Sequence, residues 1–404
     1  MARHSKQQQL TLRLSGARDD HDKSLKAYIG DLFKQLEEAV QKGDERGGNA
    51  AADKLAALGS ALSLTQQNHL RRLRESLTGE SREKRVERMP TWMRNLQFGT
   101  YLQAEQTFSV GESIECVAAS PDGKIGAIGT REGKVVFYNL RRGNRIGEST
   151  GGRRAIRSLA VSADGKWGAC GNNDGAVVLF DLAASSMRTL QLGTLPNEVT
   201  ALGFSTDNRV LYVVVRNGNL VRYNVANQSQ IDSNPTGIPK PNALAVDPTG
   251  SLIAVGGDDG LINVFEAGRL VAKRAKPMSM PNDDMVQNLC FSPDGRLLAA
   301  GNMGDGVGVW NTSNLTEKPA AQAKGLSEWV RGVGFSPDGR RLIGFDNEKR
   351  LAVWDARSGA LNKSYEFEIF KREKKTLPRS GYVGPDGTIL IGTEDGELIH
   401  LSAK

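Results

Sequence analysis

The chain has 404 residues, with 53 lysines and arginines against 46 aspartates and glutamates, and it is rich in glycine. This length allows two domains, and the composition is that of an ordinary globular protein. Three cysteines stand in separate apolar runs, which predicts free, buried thiols in a reducing compartment and hence a cytoplasmic protein. No apolar run approaches the roughly 20 residues of a membrane span. The polar first residues do not resemble a signal peptide, so we expect no membrane association.

The first element in chain order is a strictly alternating run at residues 9–15, with Leu10, Leu12 and Leu14 on one face. Such alternation predicts a β-strand. No partner strand is evident nearby in the sequence. The strand either adds to a sheet of another protein or a sister subunit, or docks on this chain's own later domain, or belongs to a disordered tail.

A helical region follows. Leu25, Ile29, Leu32, Phe33, Leu36 and Val40 recur at helical spacing. After a glycine-rich break, Asn49 can cap a second helix that carries Leu55, Leu58 and Leu62, continued at Leu70, Leu73 and Leu77. We therefore predict a domain at residues 1–99 in which a strand precedes a helical hairpin. Its helices pack on the later domain, on each other or on a partner, a sister subunit included.

Two basic clusters could meet phosphate groups. Residues 1–100 hold 18 lysines and arginines against 13 acids, with Arg71, Arg72 and Arg74 in the densest part. Lys374 and Lys375 belong to a second cluster at residues 371–375. Either cluster is a candidate phosphate-binding site, and the alternative for both is a solvated surface. The excess charge is modest and aromatic residues are sparse among these basic residues, which disfavours nucleic acid as the partner.

Residues 114–404 repeat one pattern seven times, in which an apolar run ends in a turn of the Ser-Pro-Asp-Gly type. Successive copies of this turn, from Ser120 to Gly384, stand 42 to 48 positions apart. A second turn of the Asp-Gly type separates the second and third runs, and we interpret the Asp-Gly pairs as two-residue hairpins. A fixed period in this range indicates a repeat architecture.

Each unit contains three clear strands and a vaguer fourth. In the fifth unit we predict strands at residues 286–292, 296–301 and 307–311. Large apolar residues alternate along the first strand with small ones, as the crowded strand nearest an axis requires. We predict a mainly β protein: a seven-bladed β-propeller of four-stranded antiparallel blades at residues 100–404, preceded by the short strand and helical region. Residues 101–110 are expected to pair with the last unit and close the ring, which removes an exposed edge.

The third strands end in pairs such as Trp310-Asn311 and Trp354-Asp355. Here the chain resembles the WD-repeat (tryptophan–aspartate repeat) family, as a divergent member, over about residues 101–404. The family's Gly-His pair is absent, because His400 is the only histidine after His69. Its Asp-His-Ser-Trp hydrogen-bond network is therefore missing. The resemblance implies a propeller that binds protein partners on one face.

Motifs for catalysis are sparse. The sequence has no phosphate-binding Gly-x-x-x-x-Gly-Lys-Ser/Thr loop, no Cys-x-x-Cys or His-x-x-x-His spacing and no Gly-x-Ser-x-Gly elbow. We read Asp258-Asp259, before Gly260, as turn residues. We expect no enzyme, no cofactor and no metal site. A propeller enzyme remains the least favoured alternative.

The position one residue into each first strand is polar in all seven units: Glu115, Arg157, Thr200, Asn242, Gln287, Arg331 and Arg379. Arg153, Arg154 and Trp329 stand close to this position in sequence. Because Trp and Arg dominate binding hot spots, we predict a partner site at Trp329, Arg331, Arg157, Arg154, Arg153, Gln287 and Arg379, with Leu10, Leu12 and Leu14 as a second. The alternative is that these side chains only solvate a channel mouth. The pattern favours a protein–protein interaction scaffold or adaptor subunit over a nucleic-acid-associated one.

Overall fold

The protein is described by a computed structural model at residues 25–39, 50–55, 58, 62, 66, 70, 101–183, 187–274, 277–281, 284–304, 306–326, 329–348, 350–366 and 377–403. These residues belong to two compact units, one within residues 1–85 and the other within residues 86–404. Several sequence predictions fall outside the described residues: those at Leu10, Leu12, Leu14, Arg71, Arg72, Arg74, Lys374 and Lys375.

Among the described residues of the first unit, helix is present at residues 25–39 (α1), at residues 50–55 (α2) and at positions 66 and 70. Leu32, Leu36 and Leu55 are almost completely buried, and they share one apolar cluster with residues of both helices and with Leu62 and Leu70. The face of α1 with apolar residues at helical spacing therefore packs against α2, as an amphipathic helix requires.

The second unit is mainly β, as predicted, and contains seven four-stranded antiparallel sheets. Blade 1 comprises β2 (Ile114–Ala119), β3 (Ile125–Thr130), β4 (Lys134–Asn139) and β5 (Asn144–Thr150). Blade 2 comprises β6 (Ile156–Val161), β7 (Trp167–Asn172), β8 (Ala176–Asp181) and β9 (Arg188–Thr194). Blade 3 comprises β10 (Val199–Phe204), β11 (Val210–Val215), β12 (Asn219–Asn224) and β13 (Gln230–Pro235). Blades 4 and 5 comprise β14 (Pro241–Val246), β15 (Leu252–Gly257), β16 (Leu261–Glu266) and β17 (Met278–Ser279); and β18 (Val286–Phe291), β19 (Leu297–Asn302), β20 (Gly306–Asn311) and β21 (Ala321–Lys324). Blade 6 comprises β22 (Val330–Phe335), β23 (Arg341–Asp346), β24 (Arg350–Asp355) and β25 (Leu361–Glu366).

Blade 7 is built from both ends of this unit. It contains β26 (Pro378–Val383), β27 (Thr388–Thr393) and β28 (Glu397–Ala403), and its outer strand is β1 (Leu102–Ser109), from the segment predicted to close the ring. Strand β1 pairs antiparallel with β28, and Leu102 is buried in the core of this blade. The first strand of each blade contacts the first strand of the next, and β26 contacts β2. The seven blades therefore form a closed ring, and the seven-bladed propeller prediction is confirmed.

The repeated first turn is a side-chain-locked loop and not the two-residue hairpin that we predicted. In blade 1, β2 ends at Ala119 and β3 begins at Ile125, so five residues connect them. The Ser120 hydroxyl donates to the Asp122 carboxylate at 2.7 Å and accepts from the Ile125 N–H at 3.0 Å. Gly123 takes the left-handed conformation, with a φ of 63°, which other residues adopt at a cost. The prediction failed because the loop is longer: the Gly123 N–H donates to the Ser120 carbonyl at 2.8 Å and closes a β-turn, and the Ser120 and Asp122 side chains accept from the backbone N–H groups that follow.

The same Ser–Asp bond recurs in five blades, and in each the serine also accepts the same backbone N–H: Ser120–Asp122, Ser162–Asp164, Ser205–Asp207, Ser292–Asp294 and Ser336–Asp338. Blade 4 reverses the pair, because the Thr249 hydroxyl donates to the Asp247 carboxylate. We call the end of the propeller that carries these loops the turn end.

Capping side chains at the end of the second strand hold the second turn. In blade 1, β3 ends at Thr130 and β4 begins at Lys134, so this loop has three residues and is likewise not a two-residue hairpin. The Thr130 hydroxyl accepts the Lys134 N–H at 3.1 Å, and Asn172 does the same for Ala176 at 2.9 Å in blade 2. The family's histidine network is missing here. These caps act within single turns, and they stabilise the short connection between the second and third strands.

Candidate functional site

A cavity of about 1050 Å³ lies along the innermost strands of all seven blades. Because these strands run in the same sense around the ring, the residue one step into each strand faces the same end of the cavity. All seven members of the predicted polar column line it: Glu115, Arg157, Thr200, Asn242, Gln287, Arg331 and Arg379. The second turns lie at the same end, since each strand is antiparallel to the next. We call this end the mouth end.

Two members of the column donate hydrogen bonds to backbone carbonyls of the following blade. The Thr200 hydroxyl donates to the Pro241 carbonyl at 2.9 Å, and the Asn242 amide donates to the Val286 carbonyl at 3.3 Å. Each bond joins an innermost strand to that of the following blade. These two side chains are therefore accounted for by the packing of the ring.

Glu115 is the acid of the column, and its side chain is only 6% exposed. Its Oε1 accepts from Arg131 Nε at 2.8 Å and from Arg379 Nε at 3.0 Å. Burial acts to raise the pKa of Glu115, but the two guanidinium groups outweigh it and the pKa lies below the usual range. One ionised carboxylate is thus shared between two arginines.

Arg331 differs from Arg379 in lacking an acidic partner. Its guanidinium lies over the ring of Trp329, 4.6 Å from the centroid, in a cation–π contact. Its Nε is buried and has no hydrogen-bond partner among the described residues. Burial, followed by the charge of Arg379, lowers the pKa of Arg331 to about 10. The Glu115 carboxylate acts in the opposite direction but forms no ion pair with Arg331, so the mouth end holds a desolvated positive charge without a paired acid among the described residues.

The remaining predicted residues divide by their surroundings. Arg157, Arg153 and Arg154 are exposed, and Arg154 lies 3.5 Å from the Asp174 carboxylate. Gln287 is half-buried and lies against the sulfur of Met285. Trp329 was expected in an exposed loop, but it is half-buried directly before β22. The stacked guanidinium of Arg331 covers part of the indole ring. Trp329, Arg331, Arg157, Gln287 and Arg379 all line the one cavity.

Sequence reasoning missed an ion cluster on the blade 3 side of the mouth end. Arg216 forms a bidentate pair with Asp258, and its Nε lies 3.4 Å from Glu198. Asp258 was read only as a turn residue. It does precede the turn at Gly260, but its side chain points to the neighbouring blade's arginine. The residues come from different units, so only an alignment of the second turns between neighbouring units could have suggested the pair.

Tyr382 is a second feature that the analysis missed. It lines the cavity from blade 7, at the register position that Ala118, Ala160 and Gly203 occupy in blades 1 to 3. The sequence contains the signal for this exchange. When the columns are continued into the seventh unit, Gly381 stands in the column of large residues and Tyr382 in the column of small ones. Gly381 is needed since a Cβ there would approach the Phe345 ring to 1.9 Å. Blade 7 thus exchanges the usual large and small positions.

Among the described residues, no three His, Cys, Asp or Glu side chains come together as metal ligands. Within the same part of the chain, no helix is both long and apolar enough to cross a membrane. Cys116 and Cys170 are free and buried, as predicted, whereas the third free cysteine, Cys290, is half-buried.

Comparison with known proteins identifies the repeats. The family model described as "WD domain, G-beta repeat" matches residues 143–181, 233–266 and 278–311. Each match runs from the outer strand of one blade through the third strand of the next, so it spans the junctions between blades 1 and 2, 3 and 4, and 4 and 5. No curated protein matches the chain.

Proposed function

The chain is a WD-repeat β-propeller, and from that premise we propose that it is a non-enzymatic scaffold or adaptor subunit of a multi-protein assembly. WD-repeat propellers generally act as protein-interaction scaffolds and generally lack enzymatic activity. One partner binds at the mouth end of this propeller. The segment with Leu10, Leu12 and Leu14 binds a second partner or a sister subunit. The free cysteines support a cytoplasmic location.

One observation carries this proposal. The mouth end brings Trp329 and Arg331 into contact with each other at the wall of a large cavity. Large aromatic and guanidinium side chains in partly desolvated positions contribute most of the energy in protein interfaces. The ring is closed and its core is buried, so these side chains are held on a rigid support that need not reorganise on binding.

Affinity purification of the full chain from its native host tests the proposal. The wild type is compared with Trp329→Ala, with a variant in which Leu10, Leu12 and Leu14 are all changed to Ser, and with Arg340→Gln. Arg340 is exposed at the turn end and serves as the control. We expect one set of proteins to be lost with Trp329→Ala, a different set with the leucine variant, and none with Arg340→Gln.

Two outcomes would contradict the scaffold function. One is that the same proteins co-purify with all variants, which would place binding elsewhere or make it nonspecific. The other is that nuclease treatment removes every co-purifying protein from the wild type. That result would favour the nucleic-acid-associated alternative through the basic clusters at Arg71–Arg74 and Lys374–Lys375.

A further inference from the structure

Charge is distributed unequally around the mouth end. Blades 6, 7, 1 and 2 are consecutive in the ring, and their column residues are Arg331, Arg379, Glu115 and Arg157. Within the column, three guanidinium groups therefore accompany one carboxylate on this side, and the Glu394 carboxylate outside the column lies 4.0 Å from Arg379. On the opposite side Arg216 lies between Asp258 and Glu198, so its charge is compensated. The mouth end has one basic side and one neutralised side.

The acids nearest the column on the basic side are already paired with arginines, because Glu394 also lies 4.0 Å from Arg379 Nη1. Glu115 is shared by Arg379 and Arg131 at 3.0 and 2.8 Å. Neither Arg157 nor Arg331 forms a salt bridge with any described residue. Arg331 in addition keeps a buried N–H with no acceptor in the part of the chain that the structure describes. A buried donor without an acceptor is costly, and a desolvated charge more so.

An oxyanion is the ligand that such an arrangement favours. A guanidinium presents a planar fork of donors that matches carboxylate and phosphate oxygens. Charge attraction at this site is strengthened because the cavity wall excludes part of the solvent. Water can accept the orphaned N–H of Arg331, but it cannot balance the excess positive charge of the three arginines.

We propose that Arg157, Arg331 and Arg379 bind an acidic peptide segment of the protein partner, with Trp329 packing against its aliphatic part. This inference rests on the proposed scaffold function and specifies the chemistry of its ligand. The cavity of about 1050 Å³ is large enough to admit several side chains of such a segment. Nucleic acid is less suited to this site, because single strands need successive stacking aromatics. Trp329 stands at the mouth end, whereas the other described aromatics on the cavity wall, Phe204, Phe291, Phe335 and Tyr382, lie towards the far ends of their strands.

Direct binding of a defined probe tests this inference. Fluorescein-labelled hexaglutamate is titrated with the full chain at constant ionic strength and followed by fluorescence anisotropy. Labelled hexalysine and a single-stranded oligothymidine serve as comparison probes. We expect hexaglutamate to bind, Arg331→Gln to weaken it about tenfold or more, and Arg331→Lys to weaken it less, since Lys keeps the charge but loses the fork. The same residue type at the turn end provides the control: Arg340→Gln should change the affinity by less than about twofold.

Three outcomes would overturn the inference: hexaglutamate does not bind, Arg340→Gln and Arg331→Gln weaken it equally, or oligothymidine binds more tightly and depends on Arg331. Equal melting temperatures show that the variants are folded. Suppose that Trp329→Ala loses co-purifying proteins but that hexaglutamate does not bind the wild type. The scaffold function would then stand, and only the acidic ligand would be ruled out. If a labelled hexapeptide of phosphoserine binds more tightly than hexaglutamate at the same three arginines, phosphate is the preferred source of the oxyanion.

Discussion

The two ends of the propeller are built by opposite rules. At the turn end, five blades repeat the same Ser–Asp bond with nearly the same geometry, from 2.5 to 2.7 Å. At the mouth end, the seven equivalent positions carry five different residue types. A contact that is repeated in blade after blade stabilises the fold of each blade, because every blade has to form the same loop. A polar position that varies between blades is free to serve a ligand.

We expect the largest effect from a change that opens the ring, because it disrupts both ends of the propeller at once. Deletion of residues 101–110 removes β1, so β28 becomes an exposed edge and Leu102 and Phe108 leave the core. The lost stability should be a large part of the free energy of unfolding, which is roughly 5–15 kcal/mol for a typical domain. We therefore expect cooperative unfolding of the propeller. Circular dichroism during heating measures this. An unchanged melting temperature would contradict the role of β1 in closing the ring.

A single substitution at the turn end sharpens the comparison. Ser336→Ala removes a buried hydroxyl that donates to Asp338 and accepts from the Arg341 N–H. The buried N–H then lacks an acceptor, so we expect the free energy of unfolding to fall by about 1–3 kcal/mol. Urea denaturation measures it. Ser149→Ala is the matched control, because its bond to Thr189 is exposed, and it should cost less than about 0.5 kcal/mol. Equal losses for both variants would show that the Ser–Asp bond is not a stabilising device.

Acid titration addresses all five turns together. Hydrogen bonds from the turn serines hold the pKa of Asp207, Asp294 and Asp338 below the usual range. Burial acts to raise the pKa of Asp164 and Asp122, but it is outweighed by the Ser162 bond at Asp164 and by Lys124, followed by Ser120, at Asp122, so both pKa values are also lowered. A carboxyl group whose pKa is lower in the folded state adds stability at pH values above its unfolded pKa of about 3.9. This stability is lost as the pH falls through the folded pKa. We therefore expect the melting temperature to be flat above about pH 5 and to drop steeply below about pH 4.

Asp338→Asn checks the assignment. It should lower the melting temperature at neutral pH and reduce the drop in acid, because one of the titrating groups is gone. A melting temperature that does not change between neutral pH and pH 3 would contradict the role of these carboxylates.

The fold could be predicted from the sequence because the elements of the turn end recur. Seven copies of one turn gave the blade number, and the unpaired strand before Ile114 indicated how the ring closes. The site was predicted only as a column of polar residues, since periodicity shows which positions share an end but not which partners they find there. The bonds of Thr200 and Asn242 to the next blade, the sharing of Glu115 and the bidentate pair of Arg216 with Asp258 all cross between blades. Contacts between units have no fixed spacing along the chain, so periodicity could not reveal them.

The smallest expected effect on stability comes from the mouth end, and it separates binding from folding. Arg331→Gln removes a buried charge that forms no ion pair with a described acid, and it also removes the stacking on Trp329, which contributes about 0.5–1 kcal/mol. The two changes act in opposite directions. We therefore expect the free energy of unfolding to change by less than about 1 kcal/mol in either direction. Urea denaturation alongside wild type measures the difference.

Glu115→Gln is the matched comparison at the same end of the cavity. It leaves the guanidinium groups of Arg131 and Arg379 without their shared carboxylate, and both arginines are partly exposed, so we expect a loss of about 1–2 kcal/mol after screening by solvent. If Arg331→Gln costs more than Glu115→Gln, then Arg331 supports the fold, as the turn-end serines do. If Arg331→Gln lowers the free energy of unfolding by less than Glu115→Gln but abolishes hexaglutamate binding, then Arg331 does not stabilise the fold. This is the behaviour expected of a binding residue.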